Sequence, residues 1–211
     1  MSNTDQTPSR RTQIERRAEA EQRLLQAARR IVARKGWVGM TLAEVGEEAG
    51  YSRGLATHHF GNKAGLLRAL AGFVNASFMN MVESQVPERQ PGLATLLGFI
   101  GVYLGRADTD WVNTRALLAL MAEAVTEDSE TVEVLSSYNR AVQDYLARQV
   151  RTGISNGEIR ADADPLATAT LVLGAMRGMM MQFLLDPKAV DLASFQKQLL
   201  DFIHASLVPR S

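Results

Sequence analysis

The sequence predicts an all-α chain of about nine helices in two parts, a three-helix head followed by a longer helical module. Three observations carry this. Apolar residues recur at helical spacing from Gln13 onward, no segment shows the alternation of a half-buried strand, and glycine, proline and capping residues fall between the periodic segments. An apolar content of 46% over 211 residues is enough to bury a real core. The absence of cysteine excludes disulfides, thiolate metal sites and cysteine nucleophiles together. With no apolar signal core in the opening MSNTDQTPSRRTQ, it points to a cytoplasmic protein.

Residues 1–12 are polar and aperiodic and read as a flexible tail. From Gln13 to Lys35 a helix carries Leu24, Leu25, Ala28, Ile31 and Val32 on one side and Arg16, Arg17, Arg23, Arg30 and Arg34 on the other, until Gly36 stops it. Thr41 to Ala49 is a short amphipathic helix, with Leu42, Val45 and Ala49 on one stripe. Thr41 is its N-cap and Glu44 completes a capping box. Gly50 supplies the left-handed turn. Ser52 is expected to cap the next helix, which buries Leu55, Ala56 and Phe60 and leaves Arg53, Thr57, His58 and His59 outside. Gly46 stands where a large side chain would push the two helices apart, so it permits a crossing of roughly 90 to 120°. Asn62 caps a long helix from Lys63 to about Gln85, buried through Leu66, Leu67, Leu70, Phe73, Val74 and Phe78.

Two short helices so hinged form a helix-turn-helix, whose second helix enters the major groove of DNA with its N-terminal end against bases and phosphates. Ser52, Arg53 and Gly54 occupy that end, and Lys63 is placed as a point charge on a phosphate. Residues 1–70 hold 12 Lys+Arg against 7 Asp+Glu and the remainder 11 against 16, so a basic head is attached to an acidic body in a chain of zero net charge. The stretch TLAEVGEEAGYSRGLATHHFGNKAGLL resembles the DNA-binding segment of TetR-family transcriptional regulators. The match falls on Thr41, Gly50, Ser52, Arg53, Gly54, His59, Phe60 and Lys63. Thr57 stands where the family commonly has a tyrosine that touches the DNA backbone.

The resemblance implies a DNA-binding domain over 13–80 and an effector-binding and dimerisation domain over 81–208. Thr41, Ser52, Arg53, Gly54, Thr57, His58 and Lys63 would face DNA. It further implies a homodimer, most often a repressor, that binds a palindromic double-stranded operator and is released by a small apolar effector, with no cofactor. A DNA-binding or architectural protein without a small-molecule ligand is the alternative reading.

In the second part, Pro87 and Pro91 make a break. Leu93 to Ala107 is a helix whose Gly98, Gly101 and Gly105 leave a smooth side, and Asp108 to Val125 is the next, containing Trp111. A longer helix runs from Ser129 to about Thr152, and NGEIRADADP is a polar connection to Pro165 in the first turn of a helix from Leu166 to Leu185. That helix is long enough to span a membrane, but Arg177 in its inner half and weakly basic flanks argue for no membrane and for burial against a second copy of the chain. Leu171, Gly174 and Gly178, with Phe195, Leu199 and Phe202 of a last helix from Val190 to Leu207, form the expected four-helix dimer contact.

Phe99, Tyr103, Trp111, Met121, Tyr138, Met176, Met179 and Met180 are candidates to line an effector cavity, with Arg177, Arg115 or Glu123 fixing the polar end; plain core packing has the same spacing. The GISNG run has the spelling of a hydrolase nucleophile elbow but lacks the strand that an elbow needs, so Ser155 reads as a helix terminus and no catalytic residue is assigned. Adjacent His58 and His59 point about 100° apart on a helix, poor geometry for a shared metal, and no metal is assigned.

Overall fold

The structure, a computed structural model, describes residues 12–85, 91–105, 111–126 and 130–209. Among them are nine helices and no strand: α1 Gln13–Lys35, α2 Leu42–Glu48, α3 Leu55–Phe60, α4 Lys63–Gln85, α5 Leu93–Gly105, α6 Val112–Thr126, α7 Glu130–Ser155, α8 Pro165–Leu185 and α9 Leu192–Leu207. The expected starts at Asp108 and Ser129, the break at Pro87 and nearly all of the N-terminal tail lie outside the described residues.

The same device opens α1 and α2. Thr12 Oγ1 accepts from the Glu15 N–H at 3.2 Å while Glu15 accepts from the Thr12 N–H at 2.8 Å, and Thr41 with Glu44 repeats the box at 3.2 Å in both directions. Glu48 then ties the two helices together, accepting from Arg30 at 3.0 Å and Arg34 at 2.6 Å, while Lys35 reaches Glu44 at 2.6 Å. The Arg34 hydrogen bond, against some desolvation, holds the Glu48 carboxyl below its ordinary pKa.

The hinge is set by close backbone approach. Gly50 has φ +80°, and a Cβ on Gly46 would stand 2.5 Å from the Ser52 carbonyl oxygen. This contact also corrects the expected start of α3. Ser52 is not the cap: its carbonyl accepts from the Leu55 N–H at 3.1 Å in a turn, and Gly54 is the capping residue, with no side-chain bond. Residues 50–54 are spent turning around Gly46, with the Tyr51 N–H on the Gly46 carbonyl at 2.9 Å, and helix begins only after that. Asn62 caps α4 as expected, accepting from the Gly65 N–H at 2.8 Å. The corner there is tighter still, since a Cβ on Gly65 would lie 2.0 Å from the Phe60 carbonyl oxygen.

Two apolar cores result. The first gathers Leu24, Ala28, Ile31 and Val32 of α1, Val45 of α2, Ala56 of α3 and Leu66, Leu67 and Leu70 of α4, and it is completed by Ala116, Leu117 and Leu120 of α6 and Leu135 of α7. The second runs from Phe78 and Val82 at the far end of α4 through α5, α7, α8 and α9. Phe78 stands edge-on to Phe99 at 5.1 Å and to Tyr103 at 5.7 Å. The smooth side of α5 receives α9: Gln196 donates to the Gly101 carbonyl at 2.9 Å, and a Cβ on Gly105 would meet its amide at 2.8 Å. α7 runs on through Gly153, which Ile159 covers so closely that a Cβ would lie 2.6 Å from its Cδ1, and ends at Ser155, the helix terminus read there from GISNG although the apolar spacing alone ended near Thr152.

α8 has the length and composition to cross a bilayer, with mean hydropathy 1.3. One face, Ala169, Val172, Leu173, Met176 and Met180, is buried in the second core, while Leu171 and Leu185 on other faces are 60% and 75% exposed.

The glycines of α4 give a paired test of this packing. Gly65→Ala should cost roughly 1 to 3 kcal/mol, because the methyl group meets backbone. Gly72→Ala on the same helix, where a Cβ meets nothing within 4 Å, should leave stability unchanged or raise it by about 0.5 to 1 kcal/mol. Denaturant melts of the two variants check this, and equal effects would refute the corner geometry.

Candidate nucleic-acid interface and ligand cavity

Thr41 lies exposed at the start of α2, and Ser52, Arg53, Gly54, Thr57 and His58 lie exposed around the start and outer side of α3. A Cβ on Gly54 would meet open space. Arg53 pairs with Glu47 at 3.3 Å, its side chain 74% exposed, which is a weak tie that a phosphate can replace. His59 is half-buried beside Phe60, and burial first, then Arg17, holds its imidazole below the ordinary pKa, with Glu21 opposing. His58 faces out.

Lys63 is held by its own chain. Its Nζ donates to the Val38 carbonyl at 3.2 Å and stands 5.1 Å from the centre of the Trp37 ring. Trp37 was missed by sequence reasoning; a lone tryptophan two residues after a helix end was its only mark. Arg30 and Arg34 are turned to Glu48 and Arg23 to Glu19, so on α1 it is Arg16 and Arg17 that border α3. With Leu55, His58 and His59 they line a groove of about 420 Å³.

In the body, four of the expected cavity residues come together. Phe99, Tyr103, Tyr138 and Arg177 surround a small enclosed space with Phe78, Asn113, Leu117 and Leu173. Its volume is about 10 Å³, room for about one water. The others are placed differently. Trp111 sits before α6 and packs edge-on against Phe183 at 5.6 Å, and Arg115 is exposed. Met176 and Met180 are fully buried core residues, with Met179 packed against that core. Met121 lines a separate open groove of about 460 Å³ with Leu135, Asn139 and Arg140, and Arg177 borders this groove as well as the enclosed space. Glu123 is half-buried on α6.

Two polar features here leave no mark in the sequence pattern. Arg177 donates from Nη1 to Asn139 Oδ1, while its Nε is buried with no protein acceptor. Burial lowers its pKa, opposed by Tyr138 and Tyr103. On the opposite wall Asn113 accepts from Arg29 of α1 at 2.8 Å, and that guanidinium also lies 5.8 Å from the centre of the Phe73 ring. Each pairing joins distant helices, which is why periodicity does not reveal it.

Leu171, Gly174 and Gly178 of α8 lie exposed, as do Phe195 and Phe202 of α9, the last 63% exposed; Leu199 is half-buried against the second core.

Comparison with known proteins agrees with this geometry. Residues 24–70 match the family described as bacterial regulatory proteins, tetR family, and residues 93–208 match the C-terminal region described as BetI-type transcriptional repressor. The HTH-type transcriptional regulator CymR of Pseudomonas putida is 44% identical over 63 residues, 30% of this chain and 31% of that protein. The HTH-type transcriptional regulator TtgR, also of Pseudomonas putida, is 27% identical over 184 residues, 82% of this chain and 84% of that one. A putative transcriptional regulator from Saccharomonospora viridis, crystallised in complex with choline, shares the fold with a TM-score of 0.76 at 23% identity, covering 92% of this chain and all of that one. A chain whose head and body both match in this way belongs to the TetR family of transcriptional regulators.

Proposed function

We propose that this regulator works as a homodimer that binds a palindromic operator through α3 and the turn before it, and that a small molecule held between α5, α6, α7 and α8 releases it. The observation that carries the reading is the double duty of α6. Leu117 is part of the core that supports the head and also lines the enclosed space in the body, and Asn113 beside it is bonded to α1. Widening that space displaces a helix on which the head is packed. A ligand shifts the balance only by its differential affinity for the two shapes. The choline bound in the relative from Saccharomonospora viridis supports a ligand site in a body of this fold.

The exposed apolar strip of α8 and α9 supports the homodimer. Gly174 and Gly178 let a second α8 approach closely, and Leu171, Phe195 and Phe202 give the contact its apolar area. The second copy fixes the separation of the two recognition helices, which has to match two half-sites about one helical turn apart. A cytoplasmic location follows from the need to reach operator DNA.

A mobility-shift assay on the DNA upstream of the protein's own reading frame, with a panel of small aromatic and aliphatic compounds, tests the whole reading; if no compound changes DNA affinity, the alternative of a regulator without a ligand takes its place. Arg53→Ala should weaken specific binding by roughly 1 to 3 kcal/mol, whereas Lys63→Ala should weaken it almost equally on every sequence and reduce the salt slope by about 1. An unchanged slope would remove Lys63 from the phosphate contacts. Paired changes Leu171→Glu and Phe202→Glu should give a monomer by light scattering that no longer prefers a palindrome over a half-site.

A further inference from the structure

We propose that the ligand of this cavity is an acid: a flat apolar body ending in an anionic oxygen head of the carboxylate class, received by Arg177. The proposal rests on the reading of the cavity as the ligand site and specifies what that site accepts.

Arg177 is the only charged residue between Leu166 and Leu185, and it points inward, toward Tyr103 and Tyr138. Its surroundings are an amide and two phenols: Asn139 accepts from Nη1, and Tyr103 and Tyr138 line the same space. Among the described residues no carboxylate forms an ion pair with it. Arg177 is half-buried as a residue, and withdrawing part of a guanidinium from water is unfavourable unless acceptors or an anion compensate, a cost that a leucine or methionine at this place would not carry. The compensation here is incomplete, since Nε is buried and no protein atom accepts from it. A carboxylate completes it, because its two oxygens match the paired N–H groups of a guanidinium edge.

The position of Arg177 agrees with this. It lies where the enclosed space meets the open groove beside Met121, Asn139 and Arg140, so a head coming along the groove reaches the guanidinium, and the body is received among Phe78, Phe99 and Tyr103 as that water-sized space widens. Those rings already meet edge to face at 5.1 and 5.7 Å and offer flat contacts to an aromatic guest. A quaternary ammonium is disfavoured in the same space by the fixed positive charge.

Calorimetry on the full-length protein, without DNA, tests the assignment with naphthoate, the matching naphthamide and a naphthyl trimethylammonium salt. Naphthoate should bind about tenfold or more tightly than naphthamide, and the ammonium salt should not bind. Arg177→Gln should abolish the preference for the acid, and Arg177→Lys should restore part of it, with thermal melts confirming that both variants fold. The comparison of acid and amide on the unaltered protein stands whatever the variants do. Equal binding of acid and amide, tight binding of the ammonium salt, no binding of the acid, or an acid preference that survives Arg177→Gln would each overturn the proposal. Acid binding through Arg177 that leaves DNA affinity unchanged would instead overturn the release mechanism and leave this assignment standing.

Discussion

α6 belongs to two cores, and the rest of the architecture follows from that. Ala116 and Leu120, both essentially inaccessible, fill the interior under α1 and α4 that would otherwise be open on one side, so the head is not closed by its own three helices. Leu117 adds to that interior and to the wall of the cavity at once. Interiors packed at crystal-like density do not deform smoothly, so a movement of α6 on the cavity side cannot be absorbed before it reaches α1. The Arg29 to Asn113 hydrogen bond gives the same path a polar tie. The energetic demand is definite: driving a two-state head from almost wholly competent to almost wholly incompetent takes about 5.5 kcal/mol of differential ligand affinity. A ligand that merely fills space equally well in both shapes supplies none of it.

The sequence is readable where structure is local and misleading where it is not. Capping boxes at Thr12 and Thr41 and the left-handed Gly50 are decided within a few residues, and all are in the structure. Thr12 itself reads as the end of a tail, although its box with Glu15 is there to be seen. Ser52 has the chemistry of an N-cap, but the approach of its carbonyl to Gly46 commits the chain to a turn and delays the helix to Leu55. Gly65 looks like any glycine in a helical run, and only the Phe60 carbonyl standing over it shows that no other residue fits. Lys63 resting on Trp37 joins residues 26 apart through a corner that no periodicity encodes.

In the body, spacing locates the helices and leaves their inward faces undecided. Arg115 and Arg177 are both charges within apolar helices, yet one is exposed and the other reaches the interior, because the outcome depends on what lies across from each helix. Met176 and Met180 share their spacing with true cavity residues but end fully buried in the second core. A methionine stripe therefore carries little information about a ligand, whereas a half-buried cation with an inaccessible Nε and no acceptor for it carries much more, since apolar packing does not require one.

The faces of α8 make the proposed regulation mechanically economical. Met176 and Met180 anchor the helix in the body, Leu173 and Arg177 border the cavity, and Leu171, Gly174 and Gly178 look outward to the proposed partner. Because the successive faces of one helix turn together, a guest seated on Arg177 would not tilt α8 without also altering the proposed seam with a second subunit. On the opposite wall it meets α6, which leads to the head. In the proposed dimer the spacing of two recognition helices depends on both quantities, the angle of each head on its own body and the angle of body against body. In the proposed dimer a ligand placed between α6 and α8 would act on the two angles from a single site, so small displacements at each wall would add at the DNA instead of being lost in the packing around them.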